Sequence, residues 1–175
     1  MEKFFNYYAP SAYDLNLHIN REKTELSGIT TIRGEVKQSP IKLHAVDMSI
    51  KKVLLDGEVV DFVFEDGRIN INSDLGEHEV VIEHVVEVQA DMQGAYLSTY
   101  KIDGIEQRML TTQFESHYAR EAFPCVDEPE AKAKYTITLS SDDIEDTLLS
   151  NMPVIEEQIE DGVKTALFEQ TPLMS

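Results

Sequence analysis

The sequence has almost no cysteine: Cys125 is the only one in 175 residues, and tryptophan is absent. A single cysteine excludes an internal disulfide framework, as is typical of proteins from a reducing compartment. No apolar run approaches the roughly 20 residues that a membrane-spanning helix needs. Residues 1–8 also lack the apolar stretch of a secretory signal. We therefore expect a cytoplasmic protein with no membrane partner.

Positive charge is scarce in most of the chain. Residues 1–55 carry eight Lys or Arg against six Asp or Glu, whereas residues 56–175 carry seven against 27, for a formal net charge of −18. Such a surface repels phosphate backbones, which excludes nucleic acid as an expected partner. The plainest interpretation is a solubilising surface. The alternative is an acidic face that attracts cationic amines or peptides.

The motifs of the common enzyme classes are missing too. The chain has five histidines, and no two are four residues apart, as the zinc motif His-Glu-x-x-His requires. His78 and His84 are six apart on a predicted strand, so they would lie about 20 Å apart and could not share one zinc ion. A glycine-rich phosphate loop, a Gly-x-Ser-x-Gly elbow and a cysteine pair are also absent. We expect no catalytic residue and no metal ligand in this chain.

What the sequence does contain is a two-residue period of apolar side chains. The segment 13–19 alternates Tyr, Leu, Leu and Ile with polar residues, which predicts a half-buried strand. The same period occurs at 41–45, at 79–88 and at 135–139. No window of 12 or more residues has an apolar stripe at helical spacing. The only helical turns that we predict are short ones within 116–123 and 128–132.

Asp-Gly pairs separate several of these runs. They occur at 56–57, 66–67, 103–104 and 161–162, and Asp-Gly between strand-like runs is a strong hairpin signal. The pattern predicts an all-β, antiparallel sandwich or set of curved open sheets. No linker-like stretch interrupts the chain, so we expect residues 1–175 to be a single β-domain.

The most specific motif is TQFESHYAREAFPCVDEP at 112–129, followed by Lys132-Ala133. It resembles the signature T-Q-x-E/Q-x-x-x-A-R-x-x-F-P-C-x-D-E-P-x-x-K-A of the N-terminal domain of M1 zinc aminopeptidases. Weaker matches to this family follow one another in the same order along nearly the whole chain. They are YDLNL at 13–17 with Gly28 and Gly34, GAYLSTY at 94–100, SNMP at 150–153 and TPLMS at 171–175.

The resemblance implies a saddle-like β-domain that packs on a thermolysin-like catalytic domain. That second domain carries G-x-M-E-N and the zinc-binding His-Glu-x-x-His, and neither is present here. The expectation is therefore an incomplete M1 N-terminal domain, inactive alone, whose parent protein holds zinc in a separate catalytic domain. Its expected partners are that domain, in the same polypeptide, and the N-terminus of a peptide substrate.

The resemblance also implies roles for two residues. In the family, the acid or amide two positions after the Gln of T-Q binds the free α-amine of the substrate; here it is Glu115. Gln113 is expected to line the pocket for the first side chain. A glutamate at 115 favours aminopeptidase activity over the family's epoxide-hydrolase branch, which has Gln there. A carboxylate is a charge-assisted acceptor for an ammonium group.

The remaining motif residues are expected to be architectural. Arg120 could pair with Asp127 or Glu128, and residues 123–125, including the Cys125 thiol, should pack beneath the loop. His117-Tyr118 and Glu121 depart from the residues common in the family. We expect His117 to make a local hydrogen bond or to face solvent, with no catalytic role.

Two alternatives remain open at this point. One is a non-catalytic β-sandwich that binds another protein, as in an M1-like protein that has lost its zinc site. The other is a free-standing cysteine or metal enzyme.

Overall fold

The computed structural model describes residues 2–20 and 23–175; Met1, Arg21 and Glu22 lie outside the described residues. The described chain forms strands joined by turns, with short 3-10 turns at Phe4–Asn6 and Ala119–Glu121. The strands are β1 (Tyr8–Asn20), β2 (Glu25–Val36), β3 (Ile41–His44), β4 (Met48–Leu55), β5 (Glu58–Val59), β6 (Val63–Glu65), β7 (Arg68–Ile71), β8 (Gly76–Glu87), β9 (Gly94–Ile102), β10 (Ile105–Gln113), β11 (Lys134–Ser141), β12 (Val154–Glu160) and β13 (Val163–Phe168). The predicted all-β class is confirmed.

All four Asp-Gly pairs turn hairpins, as predicted. They join β4 to β5, β6 to β7, β9 to β10 and β12 to β13. In each pair both residues have positive φ, from 49° to 51° at the aspartates and from 69° to 85° at the glycines. This is the backbone that a two-residue hairpin turn requires, and Asp-Gly adopts it at low cost.

The strands form three sheets. The largest has eight strands in the order β12-β13-β11-β1-β2-β8-β4-β5, a second has the order β3-β7-β6, and β9 and β10 pair as a two-stranded ribbon. The predicted antiparallel pairing holds in the described ladders with one exception, because β1 and β11 are parallel, with Leu15 opposite Ile137. A parallel pair needs a long connection, and most of the chain lies between these two strands. The described sheets are therefore antiparallel as predicted, apart from this one parallel pair.

The core lies where the eight-stranded sheet and the β3-β7-β6 sheet share one buried cluster. Alternate residues of β1, β2 and β8 contribute Tyr13, Ile32 and Ile82, all fully buried. Ile41 of β3 and Ile69 of β7 complete the same cluster. Each aliphatic side chain so buried contributes about 1.5–3 kcal/mol. The periodicity of the sequence therefore identified the core faces correctly.

Of the two predicted helical turns, one forms. Ala119–Glu121 is a 3-10 turn, as expected within 116–123. At 128–132 there is only a tight turn, in which Ala131 N–H donates to the Glu128 carbonyl at 2.9 Å. The chain there leads directly into β11, so a helix has no room to propagate.

The β9–β10 ribbon carries the candidate site at its base. At its far end, apolar side chains such as Ile102 and Ile105 are exposed to solvent. A two-stranded ribbon is marginally stable alone, so its base must be held by neighbours. Gln89 does this in part, since its N–H donates to the Ala95 carbonyl at 3.1 Å and its own carbonyl accepts from Leu97 N–H at 3.0 Å.

Within the described residues, no helix is long and apolar enough to cross a membrane.

Candidate functional site

The segment after β10 is anchored to the core by aromatic side chains. Phe114 meets Phe123 edge to face at 5.8 Å between centroids, and Phe123 meets Tyr13 at 6.3 Å. Tyr13 also stacks on Tyr135 at 4.9 Å, and its hydroxyl accepts a hydrogen bond from Val126 N–H at 3.1 Å. Because Tyr13 is fully buried, this contact fixes the far end of the loop to β1.

An ion pair closes the loop between residues 120 and 127. Arg120 Nε donates to Asp127 Oδ2 at 2.8 Å, and Arg120 Nη2 donates to the Asp127 carbonyl at 2.9 Å. The Arg120 main-chain N–H also reaches the same carboxylate, at 3.3 Å. The partner expected from the sequence is thus Asp127.

Glu128 has a different partner. Its carboxylate accepts the N–H groups of Phe4 at 2.7 Å and of Phe5 at 3.1 Å. These are the first N–H groups of the N-terminal 3-10 turn, which has no side-chain cap of its own. Sequence reasoning missed this role, because the partners lie more than 120 residues away along the chain. The two neighbouring acids of the motif therefore hold separate segments: Asp127 holds Arg120 within the loop, and Glu128 holds the N-terminal 3-10 turn.

Cys125 lies beneath the loop, as predicted. It is 3% exposed, and burial raises the pKa of its thiol, with the Asp127 carboxylate raising it further. Cys125 pairs with His44 through main-chain hydrogen bonds of 2.7 and 3.0 Å. A thiol held protonated in this way is a poor nucleophile. The structure thus assigns Cys125 to packing.

His44 supports the same loop as a neutral imidazole. Its Nδ1 accepts the Asp127 N–H at 3.2 Å, and its ring stacks on Phe4 at 4.1 Å. Burial lowers the pKa of His44 to about 4, and the nearby Arg120 guanidinium lowers it further. A neutral ring is what an acceptor at Nδ1 requires.

The two residues predicted to bind substrate lie together on an exposed lip, residues 113–117. Gln113 is the last residue of β10, and its side-chain Oε1 accepts the Glu115 N–H at 3.1 Å. Both side chains are exposed. Within residues 2–20 and 23–175 no cation pairs with the Glu115 carboxylate. The peptide bond between Glu115 and Ser116 is cis.

A pocket of about 570 Å³ opens beside this lip. Gln113, Glu115 and Ser116 give it polar groups, while Phe114 and Tyr135 give it apolar ones. A free carboxylate beside an apolar concavity can bind a group that carries a positive charge next to an apolar side chain.

His117 makes a local contact, as expected. Its Nδ1 lies 2.7 Å from Ser116 Oγ, and its ring stacks on Tyr118 at 5.0 Å. The ring is exposed.

The two histidines that resembled a zinc motif go to different partners. His78 Nδ1 lies 2.7 Å from Asp56 Oδ2, and His84 Nε2 lies 2.9 Å from the buried Thr30 hydroxyl. Across the described part of the chain, no group of three or more His, Cys, Asp or Glu could hold a metal ion. The described residues therefore do not fit zinc, the cofactor that the resemblance implies for the catalytic domain.

Together, the curved sheets and the carboxylate lip define an all-β domain with an exposed acidic lip beside a pocket. The model of the Peptidase M1 N-terminal domain matches residues 9–175. The chain belongs to the peptidase M1 N-terminal domain family, which confirms the resemblance found in the sequence.

Relatives of known activity agree with this assignment. The chain is 38% identical to aminopeptidase N of Lactobacillus delbrueckii subsp. lactis over 100% of its length. It is 41% identical to aminopeptidase N of Lactococcus lactis subsp. lactis over 99%, and 34% identical to aminopeptidase M1-B of Oryza sativa subsp. japonica over 95%. It spans only 20–21% of the length of these relatives.

Proposed function

We propose that this chain is the substrate-anchoring domain of a zinc metalloaminopeptidase that removes N-terminal residues from peptides. In this proposal Glu115 binds the α-ammonium group of the peptide, and Gln113 lines the pocket for the first side chain. The catalytic domain that holds zinc belongs to the same polypeptide, and the 175-residue chain alone is inactive. A cytoplasmic location is part of the proposal and agrees with the single, buried Cys125.

The observation that carries the proposal is the exposed carboxylate of Glu115 beside a pocket, with no cation of the described residues paired to it. An ionised carboxylate that accepts hydrogen bonds from an ammonium group forms a strong, charge-assisted contact. Because the α-ammonium occurs only at the chain end, such a contact measures position from the N-terminus. It would therefore favour removal of one residue at a time.

The alternative is a protein-binding β-domain of an M1-like protein without a working zinc site. The exposed apolar end of the β9–β10 ribbon, with Ile102 and Ile105, favours a macromolecular contact of some kind. In the substrate-anchoring proposal the same surface serves the contact with the catalytic domain. The two functions differ in whether the full-length protein hydrolyses peptides.

The test is a set of Glu115 variants in the full-length polypeptide, assayed with an amino-acid p-nitroanilide. Glu115→Ala should lower kcat/KM by roughly 10- to 150-fold, the equivalent of about 1.5–3 kcal/mol for a hydrogen bond to a charged group. Glu115→Gln keeps the shape of the side chain and loses its charge, so its kcat/KM should lie between those of the wild type and of Glu115→Ala. Glu58→Gln serves as the control, because Glu58 is an exposed acid of β5 that does not line the pocket.

Two results would contradict the proposal. Wild-type kinetics for Glu115→Ala would remove that residue from the substrate site. Absence of hydrolysis by the wild-type full-length protein, with zinc supplied, would favour the protein-binding alternative.

A further inference from the structure

Gly94, the first residue of β9, lies directly against the side chain of Glu121. A Cβ placed on Gly94 would come within 2.5 Å of the Glu121 Cβ and 3.1 Å of its Oε2. Gly94 also has a φ of +58°, in the left-handed region that favours glycine. Any larger residue at 94 would therefore push the ribbon and the 119–121 turn apart.

The same glycine is opposite the candidate site in the sheet. In the β9–β10 register Gly94 pairs with Gln113, and the Gln113 side chain accepts the Glu115 N–H. A movement of Gly94 is thus transmitted to Gln113 through the strand pairing, and from Gln113 to Glu115 through one hydrogen bond. The path from Glu121 to Glu115 contains only direct contacts.

Glu121 is itself well fixed. Its N–H donates to the Tyr118 carbonyl at 3.1 Å, and the neighbouring Arg120 carbonyl accepts from Val46 N–H at 2.8 Å. The first bond is local to the turn, and the second ties the 119–121 turn to the segment that follows β3. The turn is therefore a firm support on which the base of the ribbon can rest.

Packing, and not charge, explains the contact of Glu121 with the ribbon. In the described part of the chain its carboxylate forms no ion pair. Burial raises the pKa of Glu121, and the Asp47 and Asp91 carboxylates raise it further, opposed by His117 and Arg120. A neutral residue of the same shape should therefore serve at this position.

We infer that Gly94 and Glu121 are positioning residues for the substrate-binding lip: the Glu121 side chain packs on the bare backbone of Gly94 and so fixes Gln113 and Glu115 at the base of the ribbon. The geometric part of this inference is independent of the proposed function, and its effect on catalysis rests on that function.

The geometric part is tested in the 175-residue chain by amide hydrogen exchange at Glu115, measured by NMR. Gly94→Ala should speed this exchange by about tenfold, because the hydrogen bond to Gln113 is lost. Gly104→Ala is the matched control: Gly104 lies at the other end of the same ribbon with φ +81°, and apart from its own chain neighbours no described residue has a heavy atom within 4 Å of the added Cβ. It should leave the exchange at Glu115 unchanged.

Three further variants separate packing from other causes. Glu121→Gln should behave as wild type, since the shape is kept. Gly94→Ala combined with Glu121→Gly removes the clashing Cβ and should bring the exchange back towards the wild-type rate. If Gly94→Ala does not fold, Glu121→Gly alone should speed exchange at Glu115, because the ribbon loses its support. Unchanged exchange at Glu115 in folded Gly94→Ala, or an equal effect of Gly104→Ala, would overturn the inference.

The catalytic part is tested in the full-length polypeptide with an amino-acid p-nitroanilide. The contact between Glu115 and the α-ammonium group would exist in the bound substrate as well as in the transition state, so Gly94→Ala should raise KM about tenfold or more with little change in kcat. A merely structural role would lower kcat through loss of folded enzyme and leave KM unchanged, which would overturn the inference. If Glu115→Ala leaves kcat/KM unchanged, the proposed function fails, whereas the exchange result still decides the geometric part.

Discussion

Arg120 holds Asp127 at two places, the carboxylate through Nε at 2.8 Å and the main-chain carbonyl through Nη2 at 2.9 Å. The two side chains are 22% and 12% exposed, so this pair is more shielded from solvent than the other arginine pairs of the described chain. It closes the loop that begins at the Glu115 lip and ends above Cys125. Loop closure, not catalysis, is the direct consequence of the pair.

Removing the guanidinium should therefore destabilise the domain. Arg120→Met keeps much of the apolar stem but leaves a half-buried carboxylate and a carbonyl without their donor, which should cost about 2–3 kcal/mol in the free energy of unfolding. Urea denaturation measures it. Arg33→Met is the control: Arg33 pairs with Asp14 and Glu79 at 47% exposure, and its loss should cost about 1 kcal/mol or less. Equal losses of unfolding free energy in both variants would show that the shielded Arg120–Asp127 pair contributes no more to stability than an exposed pair does.

The Glu128 carboxylate should be needed to hold the N-terminal 3-10 turn. Glu128→Ala leaves the Phe4 and Phe5 N–H groups without their acceptor, and we expect a loss of about 1.5–3 kcal/mol. Hydrogen exchange at these two amides should become faster than in the wild type. Glu130→Ala is the matched control, since the Glu130 carboxylate pairs with Lys3 at the surface and accepts neither of these two N–H groups. Protection of both amides in Glu128→Ala would show that another group holds the turn.

A structural feature could be predicted from the sequence where it depends on residues that are neighbours in the chain. The alternation at 13–19 and the Asp-Gly pair at 103–104 each depend on neighbours in the chain, so strand and turn could be predicted. The parallel pairing of Leu15 with Ile137 could not, because a two-residue period indicates which face is buried and says nothing about the adjacent strand.

The candidate site divides in the same way. Gln113 and Glu115 were singled out by family resemblance, and their common lip follows from a separation of two residues. The contacts of Glu128 with Phe4 and of Glu121 with Gly94 join segments that are distant in sequence. Gly94 lay within a recognised motif and Glu121 was noted as a departure, but only three-dimensional packing connects them.

Cys125 should be inert while the domain is folded. It is buried, and burial raises the pKa of the thiol, so iodoacetamide should label it only as fast as the protein opens. The labelling rate of the native chain is compared with that of the chain in urea, where the thiol is free. Native labelling as fast as in urea would return the cysteine-enzyme alternative to consideration.

His84 should make the domain sensitive to mild acid. Its ring is 2% exposed, Nε2 shares a hydrogen bond with the Thr30 hydroxyl, and the buried Nδ1 has no hydrogen-bond partner in the described structure. Burial lowers the pKa of His84 from 6.5 to about 4. Above pH 6.5 the ring is neutral in both the folded and the unfolded state, and the native packing is fully available.

As the pH falls from 6.5 towards 4, the unfolded chain takes up a proton at this site and the folded chain does not. Stability is therefore lost across that window, by on the order of 3 kcal/mol for a shift of this size. The double variant Thr30→Val with His84→Leu removes both polar partners together, so neither is left buried and unpaired. Its free energy of unfolding, measured by urea denaturation at pH 7 and pH 4, should fall less than that of the wild type. His117→Gln changes an exposed ring and should show the same difference in unfolding free energy between pH 7 and pH 4 as the wild type. If the double variant also shows that difference, other groups cause the acid sensitivity, His44 first among them.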